Sequence, residues 1–183
     1  LFEVRPNVLY LVPKVLELIK TKLNNLDYPI IKYLIPEILK GLFGKKFKTI
    51  FIGGAKLDDS TFKFYKDNGI NICLGYGCSE TSPMVSVNHI FSPRDEESVG
   101  KLLDDVIVKI VNEEILVSGP NVMKGYWRNE SATNEVLVKD DDKIFYKTGD
   151  SGYLKDNFLY LTGRISENYK LSNGKFVNVG DVE

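Results

Sequence analysis

Apolar residues recur at helical spacing over residues 13–25, where Val15, Leu16, Ile19 and Leu23 lead on to Leu26. Pro13 suits a first helical position, because its missing N–H would be unpaired there anyway. A second apolar stretch, residues 29–42, carries Ile30, Ile31, Leu34, Ile35, Ile38, Leu39 and Leu42, with Pro29 and Pro36 bracketing or kinking it. Asn24 and Asn25 break the two apart. The spacing then changes. Thr49-Ile50-Phe51-Ile52 predicts a buried strand that runs into Gly53-Gly54. Asp58 or Asp59 caps a helix carrying Phe62, Tyr65 and Lys66, and Asn68-Gly69 ends it. Ile70–Leu74 predicts a second strand, running into Gly75-Tyr76-Gly77. Strand, helix and strand over so short a span imply a parallel pair with a right-handed crossover. Ligands of such sheets sit at the carboxyl ends of the strands, and both strands here end in glycine.

After residue 82 the pattern turns to short strands. Val85–Val87, Val106–Val111, Ile115–Val117, Ile144–Tyr146 and Phe158–Leu161 are separated by turn residues, with Asn112-Glu113 and Asp156-Asn157 as hairpin turns. This predicts a small antiparallel sheet or barrel, interrupted by one short helix near 129–137 that Asn129 or Ser131 caps. From Arg164 the chain becomes polar, and Lys170–Lys175 reads as a turn. The fold class expected is α/β: a parallel β-α-β part, then a small antiparallel β-barrel-like part.

Composition narrows the partners. The 183 residues carry 24 Lys plus Arg against 25 Asp plus Glu, a formal charge of −1, which excludes the basic field of non-specific nucleic-acid binding. With 43% hydrophobic residues the chain can bury a core. Cys73, Cys78 and His89 are too few for a disulfide framework or a four-ligand zinc site. No apolar run reaches the roughly 18 residues of a membrane span, and Glu3, Arg5 and Pro6 interrupt any signal-like start. A reduced, cytoplasmic setting is the default. The chain starts at Leu1 and stops at Glu183 inside an ordered-looking segment, which is read as an internal piece of a longer protein.

Four constellations bear chemistry. In Gly75-Tyr76-Gly77-Cys78-Ser79-Glu80-Thr81-Ser82 the glycines admit a ligand close to the backbone. Ser79 and Thr81 offer hydroxyls and N–H groups to an anion, Glu80 is a hard oxygen ligand for a cation such as Mg²⁺, and Tyr76 offers a flat face for a base. A tight capped turn explains the same residues. In Tyr146-Lys147-Thr148-Gly149-Asp150, an Asp beside a Gly at a strand end suits two adjacent sugar hydroxyls; an Asp-containing turn is the plainer reading. In Leu161-Thr162-Gly163-Arg164, Arg164 either reaches a ribose or phosphate or forms a surface ion pair. Gly53-Gly54-Ala55 either lets an adenine or acyl chain lie against backbone or is a simple strand-to-helix turn.

Taken in order, Gly53-Gly54-Ala55, Tyr76–Glu80, Glu114–Tyr126, Tyr146–Asp150 and Gly163-Arg164 resemble the adenylate-forming superfamily of acyl-CoA synthetases, peptide-synthetase adenylation domains and luciferases. Gly75–Asn88, Ser118–Tyr126 and Lys170–Lys175 resemble its bacterial long-chain fatty-acid–CoA ligase branch. The resemblance implies that Tyr76 stacks on adenine, Gly77 completes that loop, Ser79 contacts the AMP phosphate and Glu80 helps hold Mg²⁺. It assigns Asp150 and Arg164 to the ribose. Gly53, Gly54 and Ala55 would border the adenine and the acyl pocket, and Gly174 would approach the pantetheine channel of coenzyme A. Ser79 replaces the usual Thr, Lys56 a common Pro, and Ser166 the usual Asp or Lys of the hinge. The family's Pro-Lys-Gly phosphate loop and its C-terminal catalytic lysine are not among these residues.

The implied function is ATP-dependent conversion of a fatty acid, of medium or long chain, to acyl-AMP and then acyl-CoA. ATP or AMP, Mg²⁺ and coenzyme A are the implied cofactors and substrates. The piece alone is expected to be inactive. An acyl–carrier-protein ligase and a non-catalytic nucleotide-binding remnant are the alternatives. Long-chain substrates partition into bilayers, which leaves peripheral membrane contact open, and the oligomeric state is equally open. The resemblance also divides the chain into residues 1–82, an α/β subdomain with the AMP-binding loops, residues 83–163, an antiparallel β subdomain, and residues 164–183, a hinge and the start of a C-terminal domain.

Overall fold

The computed structural model describes residues 6–25, 31–44, 46–53, 57–88, 95–170 and 176–178. They form two compact units, one running to Gly75 and the other starting at Tyr76.

The first unit opens with β1 (Val8–Leu11) and α1 (Pro13–Asn24), then α2 (Ile31–Phe43), β2 (Thr49–Ile52), α3 (Asp59–Asp67) and β3 (Asn71–Tyr76). The strands are parallel in the order β1, β2, β3, with Val8 opposite Thr49 and Thr49 opposite Asn71. The β2–α3–β3 crossover is the one the sequence predicts. β1 is not predicted; its four residues abut Pro13 and look like the lead-in to a helix. Leu16 from α1, Leu39 and Phe43 from α2, Ile50 from β2 and Ile72 from β3 bury their side chains in one core. Tyr65 of α3 is fully buried, and its hydroxyl donates to Leu16 O at 3.0 Å. That bond is needed, because a buried phenol without a partner costs about 1–3 kcal/mol. Asp58 is the cap of α3, its Oδ1 accepting from Thr61 N at 2.9 Å. Gly69, at φ 78°, then turns the chain out of α3.

The second unit contains β4 (Ser86–Val87), β5 (Lys101–Leu102), β6 (Ile107–Val111), β7 (Glu114–Ser118), α4 (Glu130–Val136), β8 (Leu137–Asp140), β9 (Lys143–Lys155), β10 (Phe158–Arg164), β11 (Asn168–Lys170) and β12 (Phe176–Asn178). Its sheet runs β4-β5-β10-β9-β7-β6, with β8 also on β9, and every described pairing among them is antiparallel. β11 and β12 form a separate ladder. Asn112 and Glu113 (φ 51° and 70°) and Asp156 and Asn157 (φ 50° and 66°) take the left-handed conformation of two-residue hairpin loops, as expected. Val85, Val106, Val108, Ile115, Val117 and Leu159 make the core. Asn129, not Ser131, caps α4 through Ala132 N at 3.1 Å.

β9 departs from expectation. The sequence predicts a strand over Ile144–Tyr146 with Asp150 at a strand end, whereas β9 continues to Lys155 and Asp150 lies inside it. Two irregularities meet there. Against β7, the pairing steps from Glu114–Ser151 to Leu116–Lys147, so β9 advances four residues while β7 advances two. Against β10, it steps from Leu161–Gly152 to Gly163–Ser151. Thr148-Gly149-Asp150 is therefore a bulge, with Gly149 at φ 72°. Bulges re-aim side chains and do so often beside functional sites. Among the described residues, no helix is long and apolar enough to cross a membrane.

Candidate functional site

The bulge sends Asp150 to two donors. Tyr76 Oη donates to Oδ2 at 2.7 Å, and Arg164 Nε pairs with Oδ1 at 2.8 Å. The Asp150 side chain is 16% exposed and that of Arg164 59%. Surface ion pairs contribute little, about 0–1 kcal/mol. The carboxylate here is the largely buried partner, so the two donors are what make its burial tolerable. The bulge is itself pinned: Thr148 Oγ1 donates to Ile115 O at 2.8 Å and accepts from Asp150 N at 3.1 Å, and Gly149 N donates to Glu114 Oε1 at 3.1 Å. Burial is the main influence raising the Tyr76 phenol above its ordinary range, with the Asp150 carboxylate adding to it against an opposing hydrogen bond with Thr148. Tyr76 is thus a neutral donor at neutral pH.

The loop after Tyr76 is closed tightly. Val85 N donates to Tyr76 O at 2.7 Å. A Cβ on Gly77 would sit 1.9 Å from Pro83 O, so only glycine fits that position. Ser79–Thr81 forms a short 3₁₀ turn. The Thr81 hydroxyl accepts from Cys78 N at 3.0 Å and donates to Cys78 O at 3.1 Å. Ser79 is exposed and Glu80 half-buried.

The segment after β7 braces this loop. Asn121 Nδ2 donates to Thr81 O at 3.2 Å and to Met84 O at 2.8 Å. Met123 N donates to Glu80 O at 2.8 Å, and Tyr126 Oη donates to Glu80 Oε1 at 3.0 Å. A hydrogen bond from its own backbone N–H holds the Glu80 carboxyl below its ordinary range, and the Tyr126 and Cys78 side chains assist against the opposing effect of partial burial. Burial raises the Cys78 thiol, and nearby Glu80 adds to this, so Cys78 is not an activated nucleophile. Burial likewise raises the Tyr146 phenol, with Cys78 and Glu80 contributing.

Six expected site residues therefore lie in the second unit: Tyr76 and Arg164, each in contact with Asp150, Ser79 and Glu80 in the adjoining turn, and Gly77. Gly77 joins the two groups along the chain. Gly53 follows β2 in the first unit. Gly54, Ala55, Lys56, His89 and Gly174 lie outside the described residues. Asn121, Tyr126, Tyr146 and Thr148 carry contacts that the sequence reading did not single out, although each lies within a motif it quoted. The two-residue alternation of Tyr146 and Thr148 was the available signal: both are buried on β9, and both neighbour the 76–80 loop.

Among the described residues no three His, Cys, Asp or Glu side chains gather as a metal cluster. An ionised Glu80 alone still suits Mg²⁺, which takes one or two protein carboxylates and completes its shell with phosphate oxygens and water.

Comparison with known proteins bears on the same residues. The family model described as AMP-binding enzyme matches residues 1–127. The long-chain-fatty-acid–CoA ligase FadD15 of Mycobacterium bovis is 36% identical over 146 residues, covering 79% of this chain and 24% of FadD15. The chain thus spans about a quarter of that relative's length. The Bacillus subtilis O-succinylbenzoate coenzyme A synthetase MenE in complex with AMP superposes with a TM-score of 0.73 at 26% identity, over 98% of this chain and 35% of that one. The same enzyme in complex with ATP and magnesium ion gives 0.72 at 26% identity, over 98% and 36%.

Proposed function

This chain belongs to the AMP-binding family of enzymes, and from that premise we propose that the whole protein is an AMP-forming acid–thiol ligase that converts a medium- or long-chain fatty acid to its acyl-CoA. The likeness to FadD15 supports the fatty acid and coenzyme A as substrates. The observation that carries the reading is the convergence of Tyr76 and Arg164 on Asp150, which brings three separate motifs to one carboxylate.

A carboxylate is a poor acyl donor because its leaving group is bad. Its oxygen attacks the α-phosphorus of ATP, forming the acyl phosphate bond and expelling pyrophosphate with the bridging electron pair. The coenzyme A thiol then loses its proton and attacks the acyl carbon, and AMP departs. Catalysis of this kind is mostly positioning and charge stabilisation. Asp150 has about four lone-pair sites, two of them facing Tyr76 and Arg164, which leaves acceptors for ribose hydroxyls. Tyr76 presents its ring to adenine while its hydroxyl holds Asp150. Arg164, largely exposed, supplies charge at the ribose edge. Ser79 and the N–H groups of its turn serve the phosphate. Glu80 would hold Mg²⁺, which when bound neutralises phosphate charge. The family resemblance assigns Gly53, Gly54 and Ala55 to the adenine and acyl chain, and Gly174 to the route of the thiol. On this reading residues 1–82 and 83–163 are subdomains of one large domain, and 164–183 lead into a smaller one.

The test is pyrophosphate release by the whole protein across a panel of carboxylic acids, including aromatic acids in view of the likeness to MenE. Fatty acids should give the highest kcat/KM. Release with aromatic acids alone would overturn the fatty-acid assignment, and release with no acid would overturn the ligase.

A further inference from the structure

Glu80 is held from a segment some forty residues away, and the hold has its own support. Tyr126 N donates to Thr133 Oγ1 at 2.9 Å, and the same hydroxyl donates to Asn129 O at 2.8 Å. Thr133 thus uses both its donor and an acceptor to fix the backbone at Tyr126 to the start of α4. A Cβ on Gly125 would lie 2.8 Å from Thr133 Cγ2, so the packing there is close as well. Beyond the ring, the Tyr126 hydroxyl reaches Glu80 Oε1 at 3.0 Å, while Met123 N secures Glu80 O at 2.8 Å. Main chain and carboxylate of one residue are gripped by one segment. The Tyr126 hydroxyl contributes nothing to the hydrophobic core, since the residue is 36% exposed. Its bond to a carboxylate fixes direction rather than burial.

We propose that Tyr126, backed by Thr133, is a positioning residue that orients the Glu80 carboxylate toward the cation accompanying the nucleotide phosphates. The proposal rests on the adenylate-forming reading of the site. An unheld Glu side chain samples several rotamers, and selecting one before the cation arrives removes that entropy cost from binding. Tyr126 touches neither nucleotide nor acyl group in this scheme; it acts through Glu80.

The experiment uses the whole protein, with Mn²⁺ as a paramagnetic probe for the cation. Mn²⁺ affinity in the presence of ATP is read by electron paramagnetic resonance, beside ATP affinity in EDTA and the melting temperature. Tyr126→Phe keeps the ring and should weaken Mn²⁺ about fivefold, the size expected for one ordinary hydrogen bond lost when it acts only through orientation, with ATP affinity in EDTA within twofold of wild type. Thr133→Val should weaken Mn²⁺ in the same direction, and Thr133→Ser, which keeps the hydroxyl, should restore it. Mn²⁺ affinity unmoved by Tyr126→Phe, in a protein whose wild type binds Mn²⁺ with ATP, overturns the positioning role alone. Equal losses of ATP affinity in EDTA and of Mn²⁺ affinity also overturn it, because they mark a merely structural effect. A wild-type protein that binds no ATP overturns the nucleotide reading and the positioning role with it.

Discussion

Tyr76 and Asp150, 74 positions apart in the chain, meet through a hydrogen bond of 2.7 Å from phenol to carboxylate. The carboxylate's other oxygen is taken by Arg164. Removing Asp150 therefore does more than delete one contact, because it leaves two donors aimed at nothing. Asp150→Ala should lower AMP affinity about 10- to 100-fold, the range for a charged hydrogen-bonding partner lost from a partly buried site. Asp150→Asn should fall short of wild type too, since its amide nitrogen must face Tyr76, Arg164 or the ribose as a second donor. Isothermal titration with AMP checks both. Affinity within twofold of wild type for Asp150→Ala would exclude this carboxylate from the nucleotide site.

The same pair shows what sequence reading reaches and where it stops. The β2–α3–β3 crossover was legible because apolar runs, an Asp cap and Asn68-Gly69 all point the same way. The two hairpin loops were legible because Asn and Asp tolerate the left-handed conformation. The motif residues Tyr76, Asp150 and Arg164 stand out in the sequence, whereas the contacts of Tyr76 and Arg164 with Asp150 do not. The path of β9 was not legible. Gly149 inside Tyr-Lys-Thr-Gly-Asp looks like the end of a strand, yet tertiary pairing on both edges carries the strand through it as a bulge. β5 and β8 went unseen for a related reason: Lys101-Leu102 is too short to show a period, and Leu137–Asp140 follows a helix without a break. The Tyr126–Glu80 contact was beyond reach, because no local pattern links residues that only the folded sheet brings together.

Gly77 separates Tyr76 from the turn bearing Ser79 and Glu80. A methyl group there would meet Pro83 O at 1.9 Å and Pro83 C at 2.8 Å. These are backbone atoms and cannot rotate aside as a flexible side chain would. Gly77→Ala should force the loop open, breaking the bond from Val85 N to Tyr76 O. The expected destabilisation is about 2–4 kcal/mol, in the range of overpacking and strain effects. Chemical denaturation checks the stability. Faster amide exchange over residues 78–85 than in the wild type would locate the damage, and unchanged stability would mean the loop has slack that the structure does not show.

Asp58 makes the first unit acid-sensitive in a direction that can be worked out. Partial burial pushes its carboxyl up, but hydrogen bonds from the Ser60 and Thr61 hydroxyls and from Thr61 N–H, with the Lys20 charge, outweigh that and hold it at about 2 against an ordinary 3.8. The folded-state value is the depressed one, so the native chain binds fewer protons than the unfolded chain between these values. The stability it contributes is present above pH 4 or so and is lost as pH falls toward about 2. Asp58→Ala removes the α3 cap and should cost about 0.5–2 kcal/mol at neutral pH. Asp58→Asn keeps a capping oxygen but cannot titrate. The stability difference between wild type and Asp58→Asn should therefore shrink as pH is lowered from about 5 to about 2, as measured by urea unfolding at each pH. A difference that stays constant across this window would show that Asp58 titrates normally in the folded chain and that its partners contribute only as a cap.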